Sequence, residues 1–356
     1  MVQYVDFRPH PLLRTGHLQT LWIGLDRGGV PPYQASTRLI PLRDGERIVV
    51  HEDAQPELVE SAPLVVLLHG LGGAHCSPYL ARLSARLRQR GVRVWRVDLR
   101  GCGAGMELAW KPANAGSSAD LAAVLAAAAS RFPSAPLAVI GFSLSGNILL
   151  KLLGELGAGA LPYPDVHSAI NAALAVAPPV DLHACAANMD RFSRAIYSRY
   201  YIRLLMHQVG QRRNRWPQWA ALPYRPFPKT IRQFDQRYTA PLSGYRSAEE
   251  YYTDASAAPW VRHIVIPTDV LVDRQDPIID PVTTIEAPFS PAVRVLVTQR
   301  GGHMAYFARR EGGGIQRWME DWVVQWVGKR VPEGMGTHLR PPRQVVSPVD
   351  RAISCD

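Results

Sequence analysis

Between residues 64 and 298 the chain repeats one pattern: a short, unbroken apolar run, then a stretch whose apolar residues fall at helical spacing. The runs are 64–68 (LVVLL), 92–99 (VRVWRVDL), 137–140, 169–176, 264–272 and 293–298. Mostly apolar and too short for independent helices, they read as strands covered on both faces. Helix-like stretches at 79–90, 119–131 and 146–156 separate the first four, and a last helix fits 314–327. Strand, helix, strand in this order predicts an α/β chain with a mostly parallel central sheet flanked by helices. Residues 37–50 hold two short alternating runs around RDGE, which predicts an antiparallel hairpin at the sheet's edge.

The rhythm breaks between 181 and 258. This segment is rich in Arg, Tyr, Trp and Pro, with RWPQWAALPYRPFPK at its centre. A structureless loop of that length does not suit a compact domain. The segment is therefore expected to be a helical cap, inserted after the sixth strand over the sheet's carboxyl edge. The division that follows is a core of 1–180 and 259–330, a cap of 181–258, and a loosely docked tail of 331–356 carrying RPPRQVVSPVD.

A net charge of +10 raises the prospect of nucleic acid, an anionic membrane or an acidic substrate. Much of the excess lies in the cap segment, where arginines far outnumber acidic residues. No nucleic-acid-binding module is recognisable. The first residues, MVQYVDFRPHPLL, lack the basic start and apolar run of a signal peptide, and no apolar stretch has the length of a membrane span. The expected location is the cytoplasm, with peripheral contact to an anionic membrane through the basic cap as a further expectation. The four cysteines are scattered, with no CxxC pair and no histidine spacing suited to zinc, so no metal site is expected.

The chemistry begins at Ser143, in VIGFSLSGNILL, where an apolar strand stops and a helical pattern starts. A serine hydroxyl is a poor nucleophile near neutral pH. It needs a base, an acid to orient the base, and donors for the oxyanion formed on attack. When such a serine sits on a strained strand-to-helix turn, the acid and the histidine follow it in the chain, and the residue after the serine supplies one oxyanion donor. Here the donors would be the backbone N–H groups of Leu144 and of Leu71, in the HGLGG loop that follows the first buried strand. DVLVDRQDPIID offers Asp269, Asp273, Asp276 and Asp280; Asp276, in a turn beyond the strand end, is the first choice and Asp273 the second. TQRGGHMAYF places His303 in a loop after the last strand, whereas His17, His69, His75 and His183 lack such a context. His69 is expected to shape the oxyanion loop. Neither a metal nor an organic cofactor is required.

Several strings carry a resemblance along almost the whole chain. They are FRPHPLLRTGHLQTLW (7–22), LLHGLGG, SPY (77–79), DLRGCGAG, GFSLSGN, FDQRYTAPLSGY (234–245), AEEYY (248–252), DRQDPII and GGH. In these the chain resembles the YheT-like branch of the α/β-hydrolase superfamily, a group of esterases and lipases. The resemblance implies the α/β-hydrolase fold and a triad carried by Ser143, Asp276 and His303. It also implies carboxylic esters or lipids of short to medium acyl chain as substrates, with phospholipid cleavage or acyl transfer to alcohols among the activities of relatives. Two departures stand out. Ser145 occupies a position where glycine is usual, and its hydroxyl is expected to bond back to a carbonyl one turn earlier. The acid turn reads RQDP, without a second carboxylate directly before Asp276.

Aromatic and apolar cap residues such as Tyr197, Tyr200, Tyr201, Leu204, Leu205, Trp216 and Trp219 are candidates for an acyl pocket. They could equally form the cap's own core, with the arginines a solvated face. A reading of a different class is a non-catalytic scaffold whose basic cap binds a membrane or another anionic ligand; the order Ser, Asp, His speaks against it.

Overall fold

In a computed structural model, which describes residues 1–53 and 58–331, the apolar runs assemble into one sheet of nine strands. In chain order they are β1 (Val2–Tyr4), β2 (Ser36–Pro41), β3 (Arg47–Asp53), β4 (Leu64–Leu68), β5 (Arg93–Asp98), β6 (Leu137–Phe142), β7 (Ile170–Val176), β8 (Thr268–Asp273) and β9 (Val293–Thr298). Their order in space is β1-β9-β8-β7-β6-β4-β5-β3-β2. All neighbours from β1 to β5 run parallel, and the β2–β3 hairpin closes one edge antiparallel.

The period-two geometry of a strand sorts β4 onto two cores. Val65 and Leu67 pack with Leu80, Leu83 and Leu87 of helix α2 (Pro78–Arg88) and with Val323 and Val327 of the last helix (Trp318–Arg330). Leu64, Val66 and Leu68 pack on the other side with Leu121 and Leu125 of α3 (Ser118–Arg131) and with Leu149 and Leu152 of α4 (Leu144–Gly157). Every residue of β4, β6 and β8 is buried. Truncating one such core leucine to alanine typically costs about 2–5 kcal/mol.

Some boundaries differ from expectation, each for a local reason. The strand expected from 264 starts at Thr268, because a short turn (Val261–His263) and Pro267, which has no N–H, precede it. The last helix starts at Trp318 rather than at 314. Gly312, Gly313 and Gly314, all at positive φ, instead reverse the chain between Phe307–Arg309 and Ile315–Arg317, which pair antiparallel. Strand β1 and helix α1 (Gly16–Leu25) went unanticipated, and β1 raises the count of strands before the helical segment from the expected six to seven.

That segment runs between β7 and β8. It contains α6 (Leu182–Asp190) and α7 (Ala195–Arg213), short helices at Pro217–Ala220 and Ile231–Phe234, a π-turn at Asp235–Thr239 and a helix at Ala248–Ala255, with α5 (Pro164–Ala169) lying just before β7. Apart from Val331, which is buried, the expected tail lies outside the described residues.

Candidate active site

The parallel strands end on one edge, and the loops leaving that edge carry the residues singled out above. Ser143 follows β6 directly and stands at the N-terminus of α4 with φ 52° and ψ −117°. For a residue with a Cβ this backbone is strained, and surrounding structure must hold it. The Ser143 N–H donates to the Val176 carbonyl at 2.8 Å, and its own carbonyl accepts from the Gly146 N–H at 2.8 Å. Ala177 and Met304 also adopt positive φ, so among the described residues the three non-glycine residues of this kind are Ser143, its neighbour across the sheet edge, and the residue after His303. A Cβ on Gly141 would run into the Ser145 carbonyl, which explains the small residues at this crossing of strand and helix.

The structure brings Ser143, His303 and Asp276 into one buried chain of hydrogen bonds. The Ser143 hydroxyl lies 2.7 Å from His303 Nε2, and His303 Nδ1 lies 2.8 Å from Asp276 Oδ2. With the serine O–H donating to Nε2, the imidazole carries its proton on Nδ1 and donates it to the carboxylate. Asp276 Oδ1 meanwhile accepts from the N–H groups of Ile278 (2.8 Å) and Ile279 (3.1 Å), which fixes the plane of the carboxylate.

Asp273 does different work. It accepts from the Thr298 hydroxyl (2.5 Å), the Gly301 N–H (2.6 Å) and the Gln275 N–H (2.7 Å), tying together the two loops that present Asp276 and His303. Burial pushes its carboxyl pKa up. Asp269 pairs with Arg294 and Arg330 on the side of the sheet, and Asp280 caps the short helix at Pro281–Ile285.

Leu71 and Leu144 line one apolar cavity with Ser143. Among the described residues, neither their N–H groups nor any other backbone group of the HGLGG loop closes a bond that would occupy those two donors. The loop is fixed around them. His69 Nδ1 meets the Gly70 carbonyl at 2.8 Å, its Nε2 accepts from the Leu99 N–H at 3.1 Å, and the Gly70 N–H donates to the Tyr79 hydroxyl at 3.1 Å. Ser145 departs from expectation: its hydroxyl donates not one turn back but across to the His69 carbonyl at 2.5 Å; as the second residue of α4, it has no carbonyl of that helix one turn before it.

Gly16 and Thr20, to which the sequence reading assigned no role, hold the loops in register. Thr20 of α1 accepts the His303 N–H at 2.9 Å and donates to the Gly16 carbonyl at 2.7 Å. The Gly16 N–H in turn donates to Oε1 of Gln275, the residue before Asp276, at 3.1 Å. The only signal for these contacts was the GHLQT string, whose specificity was visible but whose task was not.

Of the aromatic and apolar candidates in the 181–258 segment, Tyr201, Leu205 and Trp219 line the cavity, together with Met189 and Phe234. Tyr197 is buried and bonded to His17 at 2.8 Å, Leu204 packs over Gly72 of the HGLGG loop, and Tyr200 is exposed. Trp216 donates to the Met106 carbonyl at 3.4 Å. Several arginines serve as pegs: Arg212 to the Gly101 and Trp110 carbonyls, Arg213 to those of Trp219 and Leu222, and Arg246 to Glu250.

Asp235, from the FDQRYTAP string, faces the cavity inside the π-turn and accepts from the hydroxyls of Thr239 (2.6 Å) and Tyr252 (2.7 Å). Burial raises its pKa to about 6. The folded protein therefore holds a proton there that the unfolded chain has lost. Stability contributed by this group is complete below the unfolded value of 3.8 and falls as pH rises to about 6. Two pK units correspond to at most about 3 kcal/mol. Asp235→Asn is expected to flatten this part of the Tm-against-pH curve and to raise Tm at pH 7, as thermal melts from pH 4 to 8 would show.

Comparison with known proteins agrees with this architecture. The model of the family described as alpha/beta hydrolase fold matches residues 63–309. The Escherichia coli (strain K12) protein named "Putative esterase YheT" is 30% identical over 90% of this chain and 93% of its own. Human "Phospholipase ABHD3" is 25% identical over 83% of this chain and 75% of its own. The solved structure of the Pyrococcus furiosus esterase Pf2001 superposes with a TM-score of 0.50 at 16% identity, covering 84% of this chain and 94% of that one. With a strained strand-to-helix turn at Ser143, a mostly parallel sheet and a family model that spans most of its length, the chain belongs to the α/β-hydrolase fold family.

Proposed function

We propose that the protein is a carboxylic ester hydrolase in which Ser143 is the nucleophile, His303 the general base and acid, Asp276 the residue that orients the imidazole, and the N–H groups of Leu71 and Leu144 the oxyanion hole. The observation that carries this reading is the unbroken bond chain from Asp276 through His303 to Ser143 beside two backbone donors that find no acceptor among the described residues.

In this reading the steps run in order. Ser143 Oγ attacks the acyl carbonyl carbon as its proton passes to His303 Nε2, and the carbonyl electron pair collects on the oxygen facing Leu71 and Leu144. His303 then gives that proton to the departing alkoxide, leaving an acyl-serine and an alcohol. Water attacks the acyl-serine, again losing its proton to Nε2, and the carboxylic acid leaves as Ser143 recovers its hydrogen. The Asp276 carboxylate stabilises the imidazolium formed in each half of the reaction.

The cavity beyond Ser143 is lined by side chains from α6, α7 and the π-turn, so the segment 181–258 acts as the cap and supplies the acyl site. Its walls are predominantly apolar, which suits the acyl chain of a short- or medium-chain ester or of a lipid. The names of the esterase and phospholipase relatives support the same substrate class. A fluorophosphonate probe combined with p-nitrophenyl esters of increasing acyl length tests the reading. The probe is expected to label one residue, and kcat/KM to rise severalfold per added pair of methylenes until the cavity is full. A folded protein that neither labels nor turns over any ester would refute it.

A further inference from the structure

Helix α1 is built inside out. Its sequence, GHLQTLWIGL, contains no Asp, Glu, Lys or Arg. The residues it buries are Gly16 and Gln19, whereas Leu18, Leu21, Trp22 and Leu25 are exposed by 45%, 42%, 38% and 75%. Those four stand at i, i+3, i+4 and i+7, one continuous stripe along a helix. Here the stripe faces solvent.

The inward face has a sufficient local explanation. The buried Gln19 amide donates to the carbonyls of Leu13 (2.7 Å) and Phe307 (3.0 Å) and accepts the Phe307 N–H (2.6 Å), and Thr20 holds the His303 loop. None of these contacts requires leucine or tryptophan on the outside. An apolar stripe that the fold does not use marks an interaction surface.

Charge indicates what it meets. Exposed Arg14 precedes the N-cap Thr15, and exposed Arg27 follows the C-cap Asp26, whose carboxylate is already held by Arg82 and Arg317. Beside α1 lies the start of α7, joined to it by the Tyr197–His17 bond and by the contact of Arg194 with His17. There Ile196 and Tyr200, each 56% exposed, share the outer side of α7 with exposed Arg199 and Arg203. Apolar residues amid arginines form the pattern of a surface that lies in a lipid headgroup layer.

We propose that the outer face of α1, extended by the start of α7, docks on an anionic lipid bilayer, with Leu18, Leu21, Trp22 and Leu25 entering the boundary between headgroups and acyl chains and the arginines meeting anionic headgroups. The opposite side of α7 lines the catalytic cavity with Tyr201, Leu205 and Val209, and α1 holds the His303 loop. Docking therefore sets the catalytic edge of the sheet beside a source of lipid esters. This last consequence rests on the hydrolase reading; the docking itself does not.

The test is flotation of the full chain with phosphatidylcholine vesicles and with vesicles of equal parts phosphatidylcholine and phosphatidylglycerol. Wild type is expected to partition onto the anionic vesicles at least about tenfold better than onto the neutral ones. The double variant Leu21→Glu, Trp22→Glu is expected to lose at least about tenfold of that partitioning, with hydrolysis of soluble p-nitrophenyl butyrate and Tm unchanged. A second readout guards against misfolding of that variant. Brominated lipid should quench part of the tryptophan fluorescence of wild type, and Trp22→Phe should lose that part. Wild type that stays off both vesicles, equal flotation of wild type and double variant, or quenching identical in Trp22→Phe would overturn the proposal. A wild-type dimer that the double variant dissociates, without vesicle binding, would assign the face to a second copy and overturn it as well. A chain that floats but turns over no ester refutes only the hydrolase reading, and one that hydrolyses esters but does not float refutes only the docking.

Discussion

Replacing Ser143 with alanine is expected to lower kcat on p-nitrophenyl butyrate by roughly five to six orders of magnitude and to abolish fluorophosphonate labelling. The hydroxyl lies 2.7 Å from His303 Nε2, and without it no acyl-enzyme can form. Residual turnover above that of water would come from the Leu71 and Leu144 donors and the cavity. Stability should change little. Ser143 sits in a strained backbone whose cause is the turn itself, and alanine keeps the same Cβ and the same penalty, so Tm should stay within a few degrees of wild type. Steady-state kinetics, labelling and a melt on one preparation check all three expectations. Turnover by Ser143→Ala within tenfold of wild type would remove Ser143 from the nucleophile's role.

Asp276→Asn is expected to reduce kcat by about four orders of magnitude, with KM little changed. The size follows from which end of the new amide must face which partner. Oδ1 of Asp276 accepts from two backbone N–H groups, those of Ile278 and Ile279, so the asparagine oxygen stays on that side. Its NH2 group then points at His303 Nδ1 and donates to it. That forces the imidazole proton onto Nε2, where it faces the Ser143 oxygen and cannot accept the serine proton. Asp273→Asn separates the two carboxylates. Asp273 accepts from Thr298, Gly301 and Gln275 and has no bond to the imidazole, so its variant should lose Tm and activity together through the loops it braces. If Asp273→Asn, and not Asp276→Asn, showed the large kcat loss at unchanged Tm, the acid would have to be reassigned.

How much of this was legible beforehand depends on whether a feature is local. The two-core sheet could be read because buried strands and amphipathic helices are written in consecutive residues: LVVLL can be buried on both faces only between layers of helices. Ser143, Asp276 and His303 could be named because each lies in a loop directly after a strand, and a parallel sheet gathers all such loops on one edge. The choice between Asp276 and Asp273 was harder, since the two lie three residues apart, one at the end of β8 and the other in the turn that follows. Only the backbone path, with Ile278 and Ile279 presenting their N–H groups to Asp276, decides which carboxylate faces the imidazole.

The sequence by itself determined the alternation of strands and helices, the small residues at the Gly141–Gly146 crossing, and the order of serine, acid and base, all of which follow from covalent geometry and near-neighbour spacing. Tertiary structure alone decided that Ser145 bonds to the His69 carbonyl, that Thr20 braces the His303 loop from 283 residues away, and that the apolar stripe of α1 faces out. A stripe at i, i+3, i+4 and i+7 states that a helix has two unlike faces. Which face turns inward is settled by partners such as Leu13 and Phe307, whose backbone groups claim Gln19, and no spacing within the helix encodes them.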